Sequence, residues 1–211
     1  MPEHLNVVVV LERAVSATER VSLVSDLSGL YSPHFENLHE VCRNNVKTGA
    51  SHCEPWPGGR VQLEVAPGRE ELLFIYSDYD RSPRGSGARS SIHIEESGDR
   101  TLFTISLPLP RELGFALIAP RLLATGELAG HIPGALIVLA GWELEGDIGR
   151  PVEDILRGIL DNALDDTLCL WVAGPRQLIP EVPLHFAIVG ESDDVVLLAR
   201  RQTRGAITVM D

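Results

Sequence analysis

The apolar residues of this chain fall into two patterns, one typical of buried strands and one typical of amphipathic helices. Residues 5–12 form a short β-branched run, which suits a central strand with both faces buried. Apolar residues then recur at helical spacing over 21–27, after Ser16 or Thr18 as candidate N-cap residues. The start of the chain therefore predicts a strand followed by a helix.

A second stripe at helical spacing predicts another helix, which would end near Gly49. Its members are Phe35, Leu38, Val41, Cys42 and Val46. The next segment, 54–59, combines prolines with glycines and predicts a loop.

Shorter apolar or alternating runs predict strands through the rest of the chain. These runs occupy residues 60–66, 71–77, 91–96, 101–107, 135–142, 168–173, 184–189, 195–200 and 206–210. The clearest hairpin joins 91–96 to 101–107, because a Gly-Asp pair lies between the two runs.

Two more segments have helical periodicity. Residues 111–124 contain Pro120, which predicts a kink or two short helices, and 151–163 begins with Pro151 at a favourable first position. Strands and helices follow in mixed order without a βαβ alternation. We therefore predict one α+β domain over 1–211, a largely antiparallel mixed sheet with helices packed on one face, and a weak seam near 108–111.

Composition and charge narrow the function. Hydrophobic residues make up 44% and charged residues 23% of the chain, which argues against disorder. No basic, apolar leader or membrane-length apolar run occurs, so we expect a cytoplasmic protein. The net charge of −12 argues against a nucleic-acid or membrane partner, since both need positive potential. Segment 143–194 holds twelve acidic residues against three arginines.

The three cysteines, Cys42, Cys53 and Cys169, are odd in number and irregularly spaced, which is not the pattern of a disulfide framework. We therefore expect reduced thiols. Cys169 lies within an apolar strand, where an inert buried thiol is the ordinary state.

Cysteines and histidines cluster in one part of the chain. The group comprises His34, His39, Cys42, His52 and Cys53. On a helix, His39 and Cys42 would share a face, and a loop residue would complete a zinc site for a small hydrolase. No Cys-x-x-Cys or His-Glu-x-x-His spacing supports the zinc, so no metal or cofactor is assigned and the hydrolase is kept as the alternative function.

Adjacent acidic residues at element ends are a further candidate for acid–base chemistry. They are Asp78 and Asp80, Glu95 and Glu96, and Asp165 and Asp166. Acids in such places are usually solvated turn or cap residues, and we interpret these pairs in that way.

Segment 140–147 combines a strand end, a tryptophan and a row of acids. In an extended chain the three acids share one face and Trp142 lies on the other. Such a segment suits a partner-binding surface anchored by the tryptophan, or an edge strand whose charges prevent aggregation. The candidate partner-binding residues of this half are Trp142, Glu143, Glu145, Asp147, Asp165, Asp166, Asp193 and Asp194.

The chain resembles the immunity proteins of bacterial polymorphic-toxin and type VI secretion systems in three features. They are the passage from a strand into Gly141, Trp142 and Glu143, the acidic second half, and the size of the chain. That resemblance implies a protein without catalysis of its own, which binds a cognate toxin in the cytoplasm and blocks it. Several toxins of this class are nucleases with basic grooves, so an acidic face would suit the partner. A third hypothesis is an assembly subunit that self-associates through its sheet edges and residues 108–110.

Overall fold

Ten strands form one sheet in a computed structural model of the chain. The structure describes residues 4–32, 35, 38–55, 70–76, 90–97, 100–108, 114–142, 169–179, 181–182 and 184–201. The strands are β1 (His4–Leu11), β2 (Leu38–Asn45), β3 (Ser51–Pro55), β4 (Glu70–Tyr76), β5 (Ser90–Ser97), β6 (Arg100–Pro108), β7 (Ala135–Trp142), β8 (Cys169–Pro175), β9 (Phe186–Glu191) and β10 (Val195–Arg200). The helices of the described residues are α1 (Ala17–Leu30) and α2 (Gly114–Gly130).

The first strand of the chain lies in the middle of the sheet. The strand order is β3-β2-β4-β5-β6-β1-β7-β8-β10-β9, and every pairing is antiparallel. Strands from both sides of the predicted seam at 108–111 therefore join the same sheet. The predicted α+β class with a largely antiparallel sheet is confirmed.

Both described helices pack on one face of the sheet, as the sequence predicts. Leu23 and Leu27 of α1 and Ile118 and Leu122 of α2 belong to one buried cluster. Alternate residues of the strands complete this cluster, because successive side chains of a strand point to opposite faces. The sheet contributes Leu5, Val7, Val9, Leu11, Val41, Leu72, Phe74, Tyr76, Ile92, Ile94, Phe103, Ile105, Leu107, Val138, Ala140, Trp171, Ala173 and Leu197.

The opposite face of the sheet centre is also buried and apolar. Its residues are Val8, Val10, Leu102, Ile137, Leu139, Val172, Ile179, Phe186, Val196 and Leu198. Burial on both faces explains why β1 reads as a continuous apolar run rather than an alternation. Buried polar residues also lie on this face: Thr104 is opposite Val8, and Ser106 Oγ donates to Asn6 Oδ1 at 2.5 Å.

Helix α1 begins with a capping box. The Glu19 amide donates to Ser16 Oγ at 3.4 Å, and the Ser16 amide donates to Glu19 Oε2 at 3.1 Å. These two bonds satisfy two of the amide groups that the first turn of a helix leaves unpaired. Of the two predicted N-caps, the structure therefore uses Ser16.

Helix α2 continues through Pro120 as one element, so the prediction of two short helices is wrong. A proline in a helix removes one backbone hydrogen bond and strains the preceding turn. Ile118, Leu122 and Ala129 are buried against the sheet on either side of that point. Their packing outweighs the loss of one hydrogen bond, because tertiary burial supplies most of the stability of a helix in a protein.

The predicted helix over the second apolar stripe is wrong. Residues 38–45 form β2, paired with β3 on one side and β4 on the other. Val41 and Cys42 are both buried, although they point to opposite faces of the sheet. Burial on both faces produces consecutive apolar residues, and these imitate a helical stripe. The predicted loop over 54–59 also starts two residues too early, since β3 extends to Pro55.

A buried ion pair joins α1 to the sheet. The Arg20 guanidinium donates to the Glu96 carboxylate, and the two side chains are only 4% and 7% exposed. Arg20 Nε also donates to the Val15 carbonyl at 3.0 Å. The predicted solvated state of Glu96 is wrong, because this residue faces α1 rather than water.

The remaining sequence predictions differ in their outcome. The structure confirms the hairpin of β5 and β6, and it confirms strands β4, β7, β8, β9 and β10 with small shifts of their ends. Segments 60–66, 151–163 and 206–210 lie outside the described residues. No helix of the described residues is long and apolar enough to cross a membrane.

Candidate functional site

Two of the predicted partner-binding residues, Asp193 and Asp194, lie in the turn between β9 and β10. Both are exposed. The turn is closed by a backbone hydrogen bond of 2.9 Å from the Ser192 amide to the Val195 carbonyl. Val195 and the next three residues of β10 are buried, so the turn is mounted on a strand of the core. Two carboxylates are thereby displayed on a rigid support.

A second contact holds the turn from the neighbouring strand β8. The Arg176 amide donates to the Asp194 carbonyl at 3.0 Å, and the Arg176 guanidinium forms an ion pair with Glu191. The Arg176 and Glu191 side chains remain 51% and 56% exposed. Because this pair is neutral overall, the net negative charge of the turn comes from the two aspartates.

Exposed apolar side chains lie on the outermost strand, β9, and just before its start. Leu184, just before β9, is 81% exposed, and Ile188 and Val189 within β9 are 45% and 38% exposed. A β-bulge between β9 and β10 interrupts the regular pairing at this point. Bulges re-aim side chains at sheet edges, which accounts for two consecutive exposed residues. Carboxylates and apolar groups together make a surface suited to protein binding.

Trp142 lies at the opposite end of the strands from this turn. Ala140 of β7 and Ala199 of β10 both pair with Trp171 of β8, so Trp142 is level with the end of β10. Asp194 comes before the start of β10, a separation of about 20 Å along the strand direction. The backbone of Trp142 itself pairs with Leu5.

The other acidic candidates lie outside the described residues. They are Glu143, Glu145, Asp147, Asp165 and Asp166. His34, Asp78 and Asp80 also lie outside them.

The cysteine pair of the candidate zinc group is a disulfide. Cys42 of β2 and Cys53 of β3 are directly opposite each other and bonded, so the prediction of reduced thiols is wrong for these two residues. Spacing along the chain gave no sign of the bond, because the two residues meet only through strand pairing. A disulfide sulfur is not a thiolate, and a thiolate is what binds zinc or acts as a nucleophile.

The histidines of the same group do not converge. His39 is exposed at the irregularity of β2 between Leu38 and Glu40, whereas Cys42 is buried. His52 is exposed on β3, with its Nε2 3.0 Å from Glu54 Oε1. Among the described residues, no three His, Cys, Asp or Glu side chains are placed to hold a metal ion.

A cluster that sequence reasoning missed lies on β4 and β5, on the face of the sheet that points away from the helices. His93 Nε2 is 3.1 Å from Glu71 Oε2, and both side chains are partly buried. Burial is the main cause that raises the pKa of the nearby Glu95, and the negative charge of Glu71 raises this pKa further. His93 partly offsets the shift. The prediction that Glu95 is a solvated residue is therefore wrong. The signal available in the sequence was the alternation of β5, which puts His93 and Glu95 on one face.

The β9–β10 turn displays two exposed aspartates, and exposed apolar side chains lie on the strand that leads into it. No protein-family model matches this chain, and no curated protein or solved structure is significantly similar to it.

Proposed function

We propose that this chain is a non-enzymatic binding protein, and specifically an immunity protein that neutralises a cognate toxin by covering its basic active-site surface. The observation that carries the proposal is the rigid β9–β10 turn, which presents Asp193 and Asp194 beside exposed apolar side chains. The net charge of −12 supports a basic partner. The resemblance of the Gly141–Glu143 passage to immunity proteins supplies the class of partner.

The physical argument rests on complementary charge. A toxin that cleaves nucleic acid carries positive potential in its substrate groove, because that groove must hold phosphates. Carboxylates on a rigid support attract such a groove over a distance and speed the encounter. Affinity then depends on a few apolar anchors that lose their contact with water, and Ile188 and Val189 are candidates for that role.

The proposed surface has two arms, since Trp142 lies about 20 Å from Asp194 along the strand direction. One arm is the turn with Asp193 and Asp194. The other begins at Trp142 and includes Glu143, Glu145 and Asp147, with Asp165 and Asp166 as further members. An interface of standard size buries about 800 Å² on each partner. A patch of that area is wide enough for one partner to reach along most of a strand.

The test starts with the native host. The tagged chain is used at low salt to isolate a partner, the partner is identified by mass spectrometry, and its affinity is then measured by calorimetry with the purified proteins. We expect a basic toxin, and we expect the double change Asp193→Lys and Asp194→Lys to weaken binding about 10-fold or more. Asp26→Lys, at an exposed position of α1, is the matched control and should have little effect.

The second arm is tested in the same assay with Glu143→Lys and Glu145→Lys. If a partner is found and its affinity does not change after charge reversal in both arms, the acidic surface is refuted. Enzymatic turnover by the chain alone would refute the non-enzymatic function.

A cytoplasmic location is part of the proposal, and the Cys42–Cys53 disulfide provides its test. Structural disulfides persist mainly in oxidising compartments. Cells are quenched with acid, and free thiols are then alkylated with a reagent that shifts the protein on a gel. The bonded state of Cys42 and Cys53 in the structure is the one that an oxidising compartment favours, so a bonded pair in cells would refute the cytoplasmic location and a reduced pair would support it.

A further inference from the structure

The two edges of the sheet differ in chemistry. At one edge, all five residues of β3 are exposed and include Ser51, His52, Glu54 and Pro55, and the disulfide ties this strand to β2. Polar residues, charge and proline are the features that keep an edge strand from pairing with another chain. At the other edge β9 has Ile188 and Val189 exposed. No described strand covers the outer side of β9.

Exposed apolar residues are concentrated at the β9 edge. Seven large hydrophobic side chains are exposed among the described residues, and five of them belong to the segment from the end of β8 through β9. The five are Leu178, Val182, Leu184, Ile188 and Val189. A concentration of this kind on a soluble domain marks an interaction surface rather than random exposure.

Charge is distributed unequally along the same edge. The end of β9 leads to the exposed Asp193 and Asp194. Its start lies beside the exposed Arg201, whose amide donates to the His185 carbonyl at 2.5 Å and whose Nε donates to the Phe186 carbonyl at 2.9 Å. One end of the edge is therefore acidic and the other basic.

We infer that the β9 edge binds a second copy of this chain in an antiparallel, two-fold symmetric arrangement. A two-fold axis at Val189 brings position 193 of one copy level with position 185 of the other, and Arg201 is bonded to His185. Asp193 of each copy is thereby brought close to Arg201 of its partner, and this contact occurs twice in the dimer. A parallel arrangement would instead place like charges together, which disfavours it.

The apolar residues complete the interface in this arrangement. Ile188 and Val189 lie at the axis, where the two copies meet and water is excluded first. The bulge interrupts the backbone ladder there, so side chains rather than a continuous run of hydrogen bonds hold the copies together. Only a few side chains contribute to this contact between two strand edges, so we expect a weak dimer with a dissociation constant in the micromolar range.

This inference goes beyond the proposed function, and it is tested on the protein alone. Because Asp193 and Asp194 belong to both surfaces, self-association and toxin binding exclude each other, and the dimer is the form of the chain without its partner. Failure of the dimer leaves the immunity function standing, and failure of toxin binding leaves the dimer standing.

The experiment is sedimentation velocity of the full chain from about 1 µM to 1 mM, the range in which weak interfaces dissociate. We expect a monomer–dimer equilibrium in the wild type that weakens with salt. Ile188→Lys should weaken it about 100-fold, because the change buries an unpaired charge at the axis. Val46→Lys, at an apolar position 53% exposed near the other edge, is the matched control and should leave the equilibrium unchanged. Leu184→Lys, at a turn residue, serves if Ile188→Lys fails to fold.

Charge swaps test the antiparallel arrangement itself. Asp193→Arg places an arginine at both positions of the proposed contact, Arg201→Asp places an aspartate at both, and each variant alone should dimerise about 10-fold more weakly than the wild type at low salt. An equimolar mixture of the two variants should regain the wild-type affinity as a heterodimer. A monomer at every concentration, a dimer insensitive to Ile188→Lys and Leu184→Lys, or a mixture without recovery would each overturn the inference.

Discussion

The Arg20–Glu96 ion pair gives the most discriminating prediction about stability. Its side chains are almost completely buried, so removing one partner leaves the other as an uncompensated charge away from water. We expect Glu96→Gln to lower the free energy of unfolding by about 3–5 kcal/mol. The amide keeps the size of the side chain, which separates loss of charge from loss of packing.

Replacing both partners should cost much less than replacing one. The double variant Arg20→Met and Glu96→Leu removes both charges and keeps most of the volume, and such replacements of buried pairs are often neutral or stabilising. It also loses the Arg20–Val15 hydrogen bond, worth about 1 kcal/mol. The double variant should therefore be more stable than Glu96→Gln by at least about 2 kcal/mol.

Urea unfolding, followed by tryptophan fluorescence, measures these differences. The matched control is Glu191→Gln, which breaks an Arg–Glu pair whose side chains are about half exposed. Exposed pairs contribute at most about 1 kcal/mol, so this variant should remain close to the wild type. A loss below about 1 kcal/mol for Glu96→Gln, or a double variant less stable than that single variant, would refute the reasoning.

Three further predictions concern the pH dependence of stability, the disulfide, and the packing of α2 against the sheet. The raised pKa of Glu95 means that the folded state binds its proton more tightly than the unfolded state, so stability falls as the pH rises above about 4.5, the ordinary pKa of a glutamate. Glu95→Gln should exceed the wild type in stability at pH 7 by a margin that shrinks below about pH 4.5, and a margin independent of pH would contradict the assigned cause. Cys53→Ser opens the loop to Cys42, of sequence separation 11, and should cost about 2–3 kcal/mol; dithiothreitol should destabilise the wild type equally and leave the variant unchanged in urea unfolding. Gly126→Ala should lower the thermal midpoint despite the better helix propensity of alanine, because the new methyl would lie 2.9 Å from Val195 Cγ1; a raised midpoint would show that α2 shifts freely.

Local patterns predicted those parts of the fold that depend on neighbouring residues. The β-branched run of β1, the Ser16 cap of α1 and the Gly-Asp pair between β5 and β6 all act within a few residues of chain. Their predicted elements agree with the structure. Segment 38–45 was mispredicted because its partners are distant: β4 and the disulfide to Cys53 fix it as a strand. A helical stripe and a strand buried on both faces are indistinguishable in such a short window.

The residues of the candidate site also fall into those that local patterns predicted and those that depend on distant parts of the chain. Asp193 and Asp194 fall between the predicted strands 184–189 and 195–200, and they lie exposed in the turn between β9 and β10. The apolar edge at Ile188 was hidden, since an apolar residue on a strand normally indicates core, and only the strand order shows that β9 is outermost. The pairing of Arg20 with Glu96 crosses 76 positions of sequence and leaves no local trace.

The central place of β1 has a consequence for how the chain is made. Val7 pairs with Ile105 on one side and with Ala140 on the other, so its neighbours are synthesised 98 and 133 residues after it. Such distant pairings slow folding, because long loops must close before the contacts form. Until β7 leaves the ribosome, the run Val7–Val10 has an open edge and high β propensity, the combination that favours aggregation. The nascent chain therefore depends on rapid completion or on a chaperone, and a truncation before residue 142 should yield insoluble protein rather than half a domain.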